Sequence, residues 1–291
     1  MDDPARERAL TSRPPAGDAL IPAGLNATLV LVRHGESTFI VEGRFQGQAE
    51  TELSTTGRAQ ARLVAARLAR PGDPPALPIP ATTPVEVAHS PLARTAATAD
   101  AIVEAMTTPD SFGVPVPARP EPGFLEIGQG EWEGLHRTEI EARWADVLAT
   151  WRRRPLEAWA PGGEALPQVQ ERLRPALAGV LRRLAAAGPS DAGDSGLDGN
   201  QVAGYRTGPS DGPWSVVVGH DGIFKVLLLT LFDLPLERFW MWSFDLAGIS
   251  VIEIRGGRPL VRAMNLVEHL APVLDEATRA ETDERRRAGA L

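Results

Sequence analysis

Ala27-Thr28-Leu29-Val30-Leu31-Val32-Arg33-His34-Gly35-Glu36-Ser37 is an apolar run that stops at an arginine, a histidine and a glycine. Such a run, bounded by a turn residue, reads as a buried strand ending in a loop. The residues at its end are suited to holding and attacking an anion. A guanidinium offers a planar fork of donors to phosphate oxygens, an imidazole offers a nucleophilic nitrogen near neutral pH, and glycine lets the chain turn sharply. The stretch therefore points to phosphoryl transfer through a phosphohistidine.

Outward from this strand the chain alternates between strand and helix signals. Ser54-Thr55-Thr56-Gly57 reads as a helix start, and Leu63, Val64 and Leu68 give the following segment one apolar face. Pro84 to Ala88 reads as a second strand. Ser90-Pro91 after it reads as a helix N-cap with proline at the first helical position, the helix running to about Met106. Val114 to Ala118 is proline-bearing and suits only a short edge strand. In the aromatic segment from Phe124 to Trp159, Ile140, Trp144, Leu148 and Trp151 share one helical stripe. A long amphipathic helix is expected from about Pro167 to Ala187, then a buried strand Trp214–Gly219, a helix over Ile223 to Leu231, and a hairpin of Ile249–Ile254 with Leu260–Ala263 turning at Gly256-Gly257.

This order predicts a three-layer α/β/α sandwich with a mostly parallel central sheet and a small helical lid. The expected domain spans 26–270, with the lid at about 123–165 and a Gly-, Asp-, Ser- and Pro-rich flexible insertion at about 188–213. Residues 1–25 are expected to form a disordered arm and 271–291 a charged tail.

In an open α/β sheet, sites gather at the carboxyl ends of the strands. Three such ends here carry related residues: Arg33-His34, Ser90 to Arg94, and Gly219-His220. Two arginines and two histidines would converge on one crevice. A proton donor is also needed. Glu126 is the candidate, with Glu131 and Glu133 as rivals, all in the glycine-punctuated stretch Phe124 to Gly134. A carboxyl group beside a phosphate is pushed towards its protonated form, as a general acid requires. His89 reads as a local hydrogen-bonding residue and His136 and His269 as surface residues. Lys225 reads as one half of a surface ion pair.

Composition narrows the partners. The 291 residues are 43% hydrophobic, enough for one large core, and the net charge is −8. An acidic chain is a poor ligand for nucleic acid or an anionic membrane. Zero cysteines exclude disulfides, thiolate metal sites and a cysteine nucleophile, and a reducing cytoplasm is the simplest compartment. The N-terminus carries no apolar signal-like segment, and the longest apolar run, Val226 to Phe232, is too short to span a bilayer.

The motifs LVRHGES, Gly43-Arg44-Phe45-Gln46-Gly47, Leu53 to Gly57, SPLART, LEIGQGEWEG, PGGE and VGHDGIF stand in an order that resembles the histidine phosphatase superfamily, in its phosphoglycerate mutase-like branch, from roughly Thr28 to Ala263. The resemblance implies that His34 is the nucleophile and that Arg33, Arg94 and His220 hold the phosphate. Glu126 matches the proton donor, while Arg44, Gln46, Gly47 and the backbone around Gly222 border the pocket. It implies no cofactor and no metal, the arginines supplying the charge. The partner is a small phosphorylated substrate, and the oligomeric state is left open, a homodimer included. Mutases of the family usually have Arg directly after the donor Glu, Tyr two residues later, and the family commonly has Asn six residues after the nucleophile. This chain has Ile127, Gln129 and Ile40 there. Each lost polar contact weakens recognition by about 1 to 3 kcal/mol, so hydrolysis is expected rather than mutase activity. A non-catalytic phospho-ligand module would have lost part of the clamp, and none is lost.

Overall fold

Along β1 (Ala27–Arg33) successive side chains divide between two cores. Leu29 and Leu31 enter one, Val30 and Val32 the other, so the strand is buried on both faces. Only the middle of a covered sheet allows that. In this computed structural model, which describes residues 19–188 and 212–273, β1 lies in a six-stranded sheet with β2 (Val87–His89), β3 (Ala118–Pro120), β4 (Trp214–Gly219), β5 (Ile249–Arg255) and β6 (Arg258–Leu266). The spatial order is β3-β2-β4-β1-β5-β6. The first four strands are mutually parallel, and β5 and β6 continue the sheet antiparallel, with register shifts where Ile249 to Ile252 faces β6.

Two helices, α1 (Thr55–Ala69) and α2 (Ala93–Thr107), pack together and bury Val64, Leu68, Ala99 and Ile102 with Val30 and Val32. On the other face lie α4 (Leu166–Ala187) and α5 (Asp221–Leu231). All of α5 is buried, as an almost wholly apolar helix should be. Between the layers and solvent, α3 (Arg137–Arg153) and the 3₁₀ turns Pro122–Phe124, Gly130–Trp132 and Leu236–Met241 build the lid. The expected sandwich is the one observed.

Several boundaries differ from the sequence reading, each for a tertiary reason. The second strand is only Val87–His89, and the edge strand forms at Ala118–Pro120 rather than Val114–Ala118, where it pairs with β2. Ser90 is not the N-cap of α2: Leu92 holds that place, and the Ser90 hydroxyl is bonded to His220 instead. Trp144 breaks the helical stripe, since its φ of −139° kinks α3 and leaves it half-buried, while Ile140, Leu148 and Trp151 are buried as expected. Leu20, Ile21 and Leu25 pack on the core, so order begins before Ala27. The expected arm up to residue 18, the insertion over 189–211 and the tail from 274 lie outside the described residues.

Candidate active site

Parallel pairing aligns the carboxyl ends of β1, β4 and β2. Arg33 is opposite Gly219 and His89 opposite Val218, so His34, Ser90 and His220 stand on neighbouring strand ends. The His34 N–H donates to Gly219 O at 3.0 Å and the Ser90 N–H to Val218 O at 3.1 Å, which extends the ladder one residue into the site. The two imidazoles meet edge-on with ring centroids 5.1 Å apart.

His34 Nδ1 lies 2.6 Å from Gly35 O. A carbonyl oxygen can only accept, so Nδ1 carries the proton and Nε2 presents its lone pair. Burial, then the Arg94 and Arg33 guanidiniums, hold the His34 pKa well below 6.5. The same causes, burial first, hold His220 low, and its Nε2 bonds Ser90 Oγ at 2.9 Å. Both rings are therefore neutral at pH 7, and a neutral imidazole is the nucleophilic form.

The guanidiniums are fixed from behind by backbone carbonyls. Arg33 Nη1 donates to Phe244 O at 2.6 Å, and Arg94 donates to Ala49 O at 2.9 Å and Gly47 O at 2.7 Å. Burial lowers Arg94 to about 10, against the opposing pull of Glu126 and Glu50, so it stays charged. Arg33 Nε, Arg94 Nε and His220 Nδ1 are buried polar atoms with no hydrogen-bond partner in the protein. Three such atoms gathered around His34 leave hydrogen-bonding capacity there unused by the protein.

Glu126 reaches the same region from the lid. Its carboxylate accepts from Ile127 N at 2.8 Å, Ile223 N at 2.9 Å and Gly222 N at 3.1 Å, seating a negative group on the N-terminus of α5. Loss of solvent nonetheless raises its pKa above 4.5, with Asp221 adding to the rise and the backbone donors opposing it. Of the rival carboxylates, Glu133 ties the Gly47 loop together through Gln48 N and Gln129 N and lies close enough to act on Arg94, and Glu131 is exposed.

The other expected residues divide. Gly47 lends its carbonyl to Arg94, and a Cβ there would fall 2.3 Å from Glu133 Oε1. Gln46 accepts from Ser37 Oγ at 2.5 Å, buttressing the loop after His34. Arg44 faces Glu42 and the Gly134 carbonyl rather than the clamp. His89 bonds the Ser90 carbonyl, as a local residue should. His136 heads α3, where Glu139 accepts its N–H. His269 is no surface histidine: its Nε2 lies 3.0 Å from Ala247 O, and burial lowers its pKa to about 4. Among the described residues no three His, Asp or Glu side chains are grouped as metal ligands.

Some supporting residues carried no local signal. Arg172 on α4 pairs with Glu164 of the Pro-Gly-Gly-Glu turn and donates to the carbonyls of Gly123, Leu125 and Glu126, fixing the strand of lid that carries Glu126. Glu164 in turn accepts from Gly128 N and Gln48 Nε2. Lys225 is buried rather than at the surface. It pairs with Asp221, and Asp221 Oδ1 accepts from Phe244 N, the residue whose carbonyl holds Arg33.

The sequence model of the histidine phosphatase superfamily (branch 1) matches residues 29–188 and 205–267. Phosphoserine phosphatase 1 of Hydrogenobacter thermophilus is 28% identical over 87% of this chain and 98% of its own. A 2,3-bisphosphoglycerate-dependent phosphoglycerate mutase of Methylobacterium radiotolerans is 31% identical over 81% of this chain and 89% of its own. A solved mycobacterial glucosyl-3-phosphoglycerate phosphatase with bound VO3 superposes with a TM-score of 0.62 at 25% identity, covering 82% of this chain and 99% of that one.

Proposed function

The chain belongs to the histidine phosphatase superfamily (branch 1), and from that premise we propose that it hydrolyses small phosphomonoesters without a metal, through a phosphohistidine on His34. One observation carries the reading: a histidine kept neutral beside two buried, charged guanidiniums, with the polar atoms Arg33 Nε, Arg94 Nε and His220 Nδ1 unpaired within the protein. In the first step His34 Nε2 attacks phosphorus, the P–O bond to the alcohol breaks, and protonated Glu126 gives its proton to the leaving oxygen. In the second, the Glu126 carboxylate takes a proton from water, the water oxygen bonds to phosphorus, and the P–N bond breaks. Arg33 and Arg94 stabilise the charge that spreads over the phosphoryl oxygens, and Gly35 O holds the imidazolium formed in between.

Relatives of similar identity include phosphatases and mutases, so identity alone does not divide the two activities. The side chains do. Ile127 and Ile40 are buried apolar residues, and by the family resemblance they and Gln129 take positions where mutases carry polar groups for a phosphoglycerate. A phosphoryl group on His34 then goes to water. The proposal includes a cytoplasmic location, which a chain with zero cysteines suits, and no nucleic-acid or membrane partner, in keeping with its acidic charge. No helix among the described residues is long and apolar enough to cross a membrane.

The test is direct. Purified protein should release phosphate from p-nitrophenyl phosphate in EDTA, be inhibited by vanadate, and fall by at least about a thousandfold in kcat on His34→Ala, as nucleophile removal does elsewhere. Full activity in that variant would sink the mechanism. Dependence on a bisphosphorylated primer would favour the mutase instead.

A further inference from the structure

Glu126 has two sides. One belongs to the cluster around His34, and the other lines a cavity of about 120 Å³. Its apolar walls are Phe45, Ile127, Leu148, Trp151, Phe239 and Trp240, drawn from the loop after β1, the lid, α3 and the 3₁₀ turn Leu236–Met241, and Gln129 and the Gly222 backbone line it as well. Trp151, Phe239 and Trp240 pack mutually at centroid distances of 4.8 to 5.6 Å, edge-on or tilted, which makes a preformed aromatic wall. Trp240 remains 42% exposed, so the wall reaches solvent there. Of the acidic groups facing the cavity, Asp221 is already paired with Lys225. Arg152 contributes one cation.

The general acid must touch the oxygen that leaves. Whatever that oxygen carries therefore extends from Glu126 on the side away from His34, into this cavity. We infer that the preferred substrates are phosphomonoesters of apolar alcohols bearing an aromatic or comparably bulky hydrocarbon group, bound by the Trp151, Phe239 and Trp240 wall. The inference rests on the phosphatase reading and names the substrate class for it. Polar, carboxylate-bearing alcohols would meet six apolar side chains against the polar groups of Gln129 and Arg152, while an aryl group removed from water there gains its transfer free energy.

Leaving-group acidity must not decide the outcome, so the probes are esters of primary alcohols: 2-phenylethyl phosphate against glycerol 3-phosphate and phosphoserine. The expected kcat/KM is roughly tenfold or more higher for the phenylethyl ester, in line with burial of one ring. Trp240→Ala, at an exposed position and so compatible with folding, should cut that preference several-fold. In the unaltered protein 2-phenylethylphosphonate should inhibit at least tenfold more tightly than methylphosphonate. A preference for phosphoserine, equal rates for all three esters, or equal inhibition by the two phosphonates overturns the inference while leaving the phosphatase reading intact. Failure to hydrolyse any ester, p-nitrophenyl phosphate included, removes both.

Discussion

Lys225 Nζ lies 2.5 Å from Asp221 Oδ2, with the rings of Phe239 and Trp240 5.3 and 4.8 Å away, and both charges are almost wholly buried. Removing one member of a buried pair strands the other, at a cost of about 3 to 5 kcal/mol, whereas removing both can be nearly neutral. Lys225→Met should therefore lower stability by about that amount in urea denaturation, and Asp221→Asn added to it should restore much of the loss. An additive double variant would refute the coupling. The histidines give a second expectation. His220 is held well below 6.5 in the fold but titrates near that value when unfolded, so below about pH 6.5 the unfolded chain binds a proton that the folded chain refuses. The stability it contributes is present above pH 6.5 and is lost as pH falls. Glu126 has the opposite sign, being raised, so the test must isolate the histidine. Stability of His220→Asn should decline less than that of the natural protein between about pH 6.5 and pH 5.

At the scale of elements, the loop after β1 is clasped by the start of α1, backbone against backbone. A Cβ on Gly57 would fall 1.8 Å from the Glu36 carbonyl oxygen, and one on Gly35 would fall 2.4 Å from that of Gly57. Gly57→Ala must push the loop that carries His34. We expect a stability cost of about 1 to 3 kcal/mol, as for other overpacked sites, and a fall of about tenfold or more in kcat/KM from displaced catalytic atoms. Unchanged kcat/KM would show that the clasp does not set the position of His34. The start of α1 was legible because capping is local: Ser54 accepts from Gly57 N three residues on. The start of α2 was misread for the converse reason. Ser90 has the chemistry of a cap but is engaged by His220, 130 positions away, and no local pattern reports such a contact. The aromatic stripe of α3 was read from its period, and the kink at Trp144 lay beyond what a period can tell.

Across the whole molecule, the convergence of Arg33, His34, Arg94 and His220 was readable from the sequence because they lie at, or within a few residues of, the carboxyl ends of parallel strands, and such ends must meet. Arg33, His34, Arg94 and His220 needed only the topology. Lys225 and Arg172 needed packing as well: a lone lysine on a helix looks like surface until the helix proves to be buried on every side. The sheet that gathers these ends has its own boundary. One edge is β3, three residues long and closed by Pro120; the other is β6, which carries Arg258, Pro259 and Arg262 and pairs with β5 through an irregular register. Short strands, prolines, charges and bulges are the usual guards against strand addition. Among the described residues both edges carry such guards, which disfavours pairing with another chain along the sheet. The apolar β1 and β4 strands, hazardous if they lay at an edge, are shielded from such pairing in the folded molecule.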